Sequence, residues 1–386
     1  MDLATASLGP RAAPAAALSP DPVLSANVYC SGRLCEVICR LVAPFWERCR
    51  AAGTAHGDHR DHRDPCDPCD PCDPGDHGYV WLMRYSRRGD HLKLRLHGPI
   101  ASVPVWRQLL DAAQADYFRR LGPAAAGAPR RSAPTAPPID VEDRAAHDQP
   151  DRSFVWTTYT RSALSLGCRP LLDDDRHAAA LTRCLSRGTE ILLARLRSDA
   201  SGQSPFGLRR ALLVDALIVG LAHLPLTELD RTRYLLYHRD CLLHYLQRHK
   251  ARAEAPGQEL AAMARVLARF DAELARPGAR HEEIARQARE QWRSGLARVR
   301  PGADLAWGRA LRELSVQAGR LCGELEQPLD PFADLPVFPV LFKALHGLAN
   351  QAGVDPLNEA FVHHLLLSLA ATDEARRRPV RLVPDL

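Results

Sequence analysis

Tyr79-Val-Trp-Leu-Met-Arg-Tyr-Ser86, followed after a short break by His91-Leu-Lys-Leu-Arg-Leu-His97, decides how this chain folds. The second stretch alternates strictly: Leu92, Leu94 and Leu96 fall on one side, His91, Lys93, Arg95 and His97 on the other. That is the period of a strand. The first stretch alternates in the same way, with Arg84 as its charged member. Ser86-Arg-Arg-Gly-Asp90 supplies a turn, since Gly89 takes positive φ at no steric cost, so the two strands are read as a hairpin. Like charges on one sheet face repel, and they stay together where something anionic or carbonyl-rich covers them. The plainer reading is a solvated face whose Lys and Arg guard an edge strand.

The flanks extend the pattern. Asn27-Val-Tyr-Cys30 reads as a strand, and Leu34 to Cys49 has helical spacing, with Pro44 placed to kink it. A helix follows the hairpin from Val103 to Leu121, and Phe154-Val-Trp-Thr-Thr-Tyr159 has the β-branched and aromatic content of a further strand. From Asp173 onward the periodicity is helical. Asp173-Asp-Asp175 caps a run from Ala178 to Leu196, another runs from Leu208 to Leu221, and Thr227 caps Glu228 to Gln247. Amphipathic stretches follow at Gln258–Glu273, Arg280–Val299 and Leu305–Leu325. Pro339 to Gln351 stops at Gly353, and Asp355-Pro356 opens Leu357 to Ala371. Strands precede a long helical run, so the fold class is α+β: a small, mostly antiparallel sheet from the N-terminal part packed on a helix-rich C-terminal half.

At 386 residues, with 46% apolar and 25% charged side chains, the chain can bury a large core. Residues 1–26, rich in Ala and Pro, read as a disordered lead-in without the apolar run of a secretion signal. Residues 27–386 read as one unit carrying a low-complexity loop at 54–78 and a flexible Ala/Pro/Arg loop at 123–150. No apolar run is long enough to span a membrane. The net charge of +5 is mild, and no aromatic ladder alternates with basic residues, which argues against a nucleic-acid partner. Eleven cysteines, an odd and mostly scattered set, fit a reduced, cytoplasmic protein. Cys66, Cys69 and Cys72 have zinc-like spacing, but the same period runs through the intervening Asp and Pro, which marks a tandem expansion rather than a metal site. No phosphate loop, dinucleotide fingerprint or serine elbow is present, so no cofactor is implied.

Four segments taken in order resemble the C-terminal, glutamate-elimination domain of lantibiotic dehydratases, above all its stand-alone thiopeptide-type members. They are the Asn27 strand with its helix, Trp81-Leu-Met-Arg-Tyr85 with His91-Leu-Lys-Leu-Arg95, Thr157-Thr-Tyr-Thr-Arg-Ser-Ala-Leu-Ser-Leu-Gly167, and Leu345-His-Gly-Leu-Ala-Asn-Gln-Ala-Gly353 with Glu359. The departures point within the family. Eliminating members carry Arg where this chain has Lys93, an acidic pair where it has Thr157-Thr-Tyr159, and Arg where it has Gln351. Glutamate elimination needs a cationic clamp and a base. Losing those groups favours the related branch, the pyridine synthases, which join two dehydroalanines of a modified precursor peptide by formal [4+2] cycloaddition and release the leader.

The resemblance implies His346, Tyr159, Ser162 and His91 as catalytic candidates, and Arg84, Lys93, Arg95, Arg161 and Asn350 as substrate-binding ones. His346 lies among leucines, where a histidine is also read as a satisfied core residue, and Asn350 shares its helix face at i+4 and is placed to orient it. Tyr159 is equally read as a packed strand aromatic. Tyr234 and His238 form an i, i+4 pair on a helix, read chiefly as packed surface. The implied partners are a modified precursor peptide with its leader and split dehydratase enzymes. Three readings remain: pyridine-forming cyclase, glutamate eliminase, and non-catalytic binding module.

Overall fold

The structure, a computed structural model, describes residues 24–30, 34–55, 78–85, 91–98, 100–122, 152–157, 171, 174–198, 205–250, 258–275, 303–325 and 327–370. The fold class is as the patterning indicates. Strands β1 (Leu24–Tyr29), β2 (Tyr79–Tyr85), β3 (His91–His97) and β4 (Ser153–Thr157) form one antiparallel sheet in the order β2-β3-β1-β4. β1 begins at Leu24, inside the segment read as a lead-in. The turn at 86–90, most of the loops at 54–78 and 123–150, and the amphipathic stretch at 280–299 lie outside the described residues.

The predicted helix with Pro44 is broken in a specific way. Helix α1 (Leu34–Val37) passes into a π turn, Ile38–Val42, before α2 (Ala43–Ala55). Pro44 has no amide hydrogen for the regular ladder, and the widened turn just ahead of it absorbs the mismatch. Helix α3 (Val103–Leu121) then packs beside the sheet, where Trp156 Nε1 of β4 donates to Asp111 at 3.2 Å and Arg107 lies over the Trp156 ring.

Cross-strand pairing settles which side chains share a face. Leu92, Leu94 and Leu96 stand opposite Arg84, Leu82 and Val80 on β2, and opposite Val28, Ala26 and Leu24 on β1. Arg84 is therefore on the leucine face and not with His91, Lys93, Arg95 and His97, as a single cationic face would need. The other expectation for that face also changes. It is no solvated surface: His91, Lys93, Arg95 and His97 are all buried, with Tyr29 stacked on His91 at 4.8 Å and Trp81 Nε1 donating to His97 Nε2 at 2.9 Å.

The helical half is α4 (Asp175–Ser198), α5 (Pro205–His223), α6 (Glu228–Lys250), α7 (Gln258–Ala275), α8 (Ala303–Gly323), α9 (Phe338–Ala352) and α10 (Pro356–Ala370). Their ends follow side-chain chemistry. Asp174 Oδ1 accepts from the His177 amide at 2.8 Å at the start of α4. Thr227 and Asp230 cap α6 reciprocally, at 3.1 and 2.6 Å. Helix α4 docks on the sheet through Ser186 Oγ, which donates to the Val80 carbonyl at 2.7 Å. One continuous apolar core joins sheet and helices, and a smaller one, with Leu243, Met263, Phe270 and Phe361, joins α6, α7 and α10.

Helices α9 and α10 form the hairpin that carries the site. Gly353 ends α9 in the left-handed region at φ 71°, with its amide and that of Val354 turned back to Asn350 and Ala349 at 2.9 Å. The amides of Leu357 and Asn358 then donate to Asp355 Oδ1, at 3.1 and 3.0 Å, starting α10.

Candidate functional site

Helix α9 is buried along nearly its whole length, and its accessible stripe is Phe342, Lys343, His346 and Asn350. A buried helix with one open face presents what that face carries. Gly347 permits the close approach behind it, since a Cβ there would meet Leu185 at 2.7 Å.

Asn350 and Arg84 meet. The Arg84 amide donates to Asn350 Oδ1 at 2.8 Å, and Asn350 Nδ2 donates to the Arg84 carbonyl at 3.0 Å, so the side chain pairs with edge strand β2 as another strand would. Arg84 Nε donates to the Gln351 carbonyl at 2.8 Å, which satisfies one of the last carbonyls of α9. Both residues, expected at substrate, hold α9 to the sheet. Asn350 does not orient His346. Gln351 is fully buried, and its amide donates to the Leu185 carbonyl at 3.0 Å.

The group that orients His346 is Glu359. Three helices deliver the cluster. On α10, Glu359 is fully buried, with Oε2 accepting from His346 Nδ1 at 2.7 Å and Oε1 paired with His238 Nε2 at 2.8 Å. On α6, His238 Nδ1 in turn meets the Tyr234 hydroxyl at 2.8 Å. His363 lies against the His238 ring at 3.9 Å between centroids, with its Nδ1 on the Glu359 carbonyl at 2.9 Å. Phe342 stacks on His346. His346, with 34% of its side chain accessible, is where this buried chain reaches the surface.

The protonation states follow from the surroundings. Burial opposes a charge on Glu359, but His346 and His238 outweigh it and bring the carboxyl down to about 2. Burial also opposes an imidazolium at His346; the Glu359 charge and hydrogen bond overcome this, with Lys343 acting against them, and His346 sits above the ordinary histidine value. Burial keeps His238 below that value, despite Glu359, and takes His363 down to about 3. Burial, with the Glu359 charge beside it, pushes the Tyr234 phenol well up, so it stays a hydroxyl. The consistent assignment is Tyr234 O–H donating to a neutral His238, His238 Nε2–H donating to the Glu359 carboxylate, and His346 Nδ1–H donating to its other oxygen. This is the arrangement of an acid–base imidazole held by a carboxylate.

His238, Glu359 and His363 also bring potential metal-ligand atoms within 4.8 Å of one another. Both His238 nitrogens and both Glu359 oxygens already have partners. The cluster fits proton traffic better than a metal.

Of the other expected site residues, His91 is buried on the sheet face opposite the one Arg84 uses, alongside Lys93 and Arg95. Tyr159, Arg161 and Ser162 lie outside the described residues. Sequence reasoning missed Glu359 as the partner of His346, and His238 as its second contact. The signals were the Tyr234–His238 spacing and the short break between α9 and α10, which sets residues on facing helices side by side.

Residues 75–370 match the lantibiotic biosynthesis dehydratase C-terminal family. No curated protein sequence gives a significant match. Among solved structures, the chain shares its fold with the pyridine synthase TbtD from thiomuracin biosynthesis, at a TM-score of 0.54 and 17% identity, covering 90% of this chain and 97% of that one. A second similarity is to the tRNA-dependent lantibiotic dehydratase MibB from Microbispora sp. 107891, at a TM-score of 0.44 and 14% identity, covering 96% of this chain but 29% of that one. No helix among the described residues is long and apolar enough to cross a membrane. Matched by the family over residues 75–370, the chain belongs to the lantibiotic biosynthesis dehydratase C-terminal family, whose members serve the tailoring of ribosomally made peptides.

Proposed function

We propose that this protein is a peptide-tailoring enzyme of the pyridine-synthase type. It joins two dehydroalanines of a modified precursor peptide by formal [4+2] cycloaddition, then expels water and the leader amide. The observation that carries the reading is His346, held by buried Glu359 with its second nitrogen at the surface. Bringing two alkenes of one flexible peptide face to face is mainly an entropic problem, and positioning can supply about 7–11 kcal/mol of such a barrier. The remaining chemistry is proton transfer. One amide must react as its imidic tautomer, which a donor at the carbonyl oxygen favours; His346 Nε2–H is that donor. After ring closure the hydroxyl leaves as water by taking a proton from the imidazolium, and the imidazole so formed takes a ring proton; the same exchange, repeated, protonates the leader's amide nitrogen as it departs and removes a second ring proton.

The cationic side chains support the same choice. Arg84 is engaged at the end of α9, and Gln351 is turned into the core, so neither is arranged as part of a carboxylate clamp. The alternative, elimination of glutamate from glutamylated Ser or Thr, draws on the same His346–Glu359 pair. A cytoplasmic precursor peptide, delivered by split dehydratase enzymes, is the substrate class in either case.

Incubating the purified protein with a dehydrated, leader-bearing peptide and following masses separates the readings. Loss of water with release of the leader as an amide supports the cyclase. Loss of glutamate from a glutamylated peptide supports the eliminase instead. Peptide binding without any mass change would leave only a recruitment module.

A further inference from the structure

The hydrogen-bonded chain does not end at Glu359. A carboxylate that only had to orient His346 needs one oxygen for it; here the second oxygen has its own donor, and that donor has another behind it. Tyr234, His238 and Glu359 are all fully buried, so none gains from water what it gains from its neighbour. A neutral imidazole can face a carboxylate with either an N–H or a lone pair, and the two tautomers have opposite effects. The Tyr234 hydroxyl settles the question. By donating to His238 Nδ1 it leaves the His238 proton on Nε2, aimed at Glu359 Oε1. The stacked His363 spends its own Nδ1 on the Glu359 main-chain carbonyl, so it does not compete for the carboxylate.

We propose that Tyr234 and His238 are positioning residues: acting through Glu359, they keep the carboxylate ionised and the proton of the pair on His346. This deepens the reading of His346 as the acid–base group and rests on it. The reasoning is a competition for one proton. Glu359 and His346 can share it as carboxylate and imidazolium, or as carboxylic acid and neutral imidazole. In an apolar pocket the second form wins unless the carboxylate is well supplied with donors. His238 provides the second donor. The charged and titratable groups facing the pair are Tyr234 and His238 from α6, His363 from α10, and Lys343 from α9 itself. Lys343 opposes the imidazolium, so the pair depends on its buried donors.

The test is a histidine NMR titration of the full-length protein, with the His346 signal assigned from its absence in His346→Gln. In His238→Leu, His346 should become neutral at lower pH than in the parent. His238→Gln, which keeps an N–H for Glu359, should restore most of that difference. Tyr234→Phe should move His346 in the same direction by less. With a dehydrated peptide as substrate, kcat should fall about 10-fold in His238→Leu while KM holds, as for a weakened acid–base step. Should His238→Leu lose its cooperative melt, Tyr234→Phe and His238→Gln carry the test. An unmoved His346 titration in His238→Leu and Tyr234→Phe overturns the proposal. If the titration moves but His346→Ala keeps full turnover, the positioning chain stands and the catalytic reading of His346 falls.

Discussion

On β3 the buried polar side chains, His91, Lys93, Arg95 and His97, are cationic or can become so, and all come from one seven-residue strand. In the helical cluster, Tyr234, His238, His346 and Glu359 come from three helices, and a carboxylate sits in the middle. The difference teaches what each can do. Like charges buried on one strand need partners from elsewhere in the fold, because β3 itself carries no carboxylate among them. A carboxylate between two imidazoles fixes which nitrogen carries a proton and lets one ring both give and take it. The strand's polar face is packed inside the fold, whereas the helical cluster opens to the surface at His346.

The largest expected effect breaks the comparison on the helical side. His346→Ala should lower turnover by about 10²–10⁴-fold with peptide binding retained, measured by mass-resolved kinetics and a separate binding titration. Lys93→Ala, at a side chain buried in the sheet, should act on stability instead, lowering the denaturation midpoint while the folded fraction keeps its kcat. A fall in kcat for folded Lys93→Ala as large as that in His346→Ala would erase the difference between the two regions.

Next is stability. Glu359→Leu should destabilise the fold by about 3 kcal/mol in denaturant titrations, because two buried donors lose their acceptor. The same groups set the acid sensitivity. Glu359 ionises at about 2 in the folded chain against an ordinary 4.5, so its contribution is present above pH 4.5 and is lost as pH falls from there toward 2. His363, at about 3 against 6.5, makes stability decline earlier, because the unfolded chain takes up that proton below pH 6.5 while the folded one does not. His346 acts oppositely: its contribution is full below 6.5 and is lost as pH rises through its elevated value. Denaturation midpoints from pH 3 to 8 should show the acid decline, flattened in Glu359→Leu.

The junction of sheet and α9 comes last. Gly353→Ala should cost about 1–2 kcal/mol, since φ is 71° and a Cβ would lie 2.5 Å from the Arg84 guanidinium. Asn350→Ala should cost about 1 kcal/mol by freeing the β2 edge. A loss of turnover beyond the loss of folded protein in Asn350→Ala would show that His346 depends on this docking.

Much of this fold was legible because its cues are local. Alternation at 91–97 found β3, and Asp174, Thr227, Gly353 and Asp355 marked helix ends from their own chemistry. The side of the sheet that Arg84 faces was not legible from its charge, because pairing with Leu92 decided it. The site was half legible. His346 lies in a recognisable motif, whereas its link to His238 spans 121 residues between His238 and Glu359 and exists only once α6 packs against α10. Asn350 shows the converse: helical spacing placed it beside His346, yet strand β2 claimed its amide.

The most direct test of the central claim is to titrate His346 by NMR in the parent protein and in Glu359→Gln. The carboxylate is held to be what keeps His346 protonated, so replacing it with a neutral amide should make His346 titrate at lower pH, below the ordinary histidine value, because burial then acts unopposed. Unchanged titration of His346 in the two proteins would contradict it.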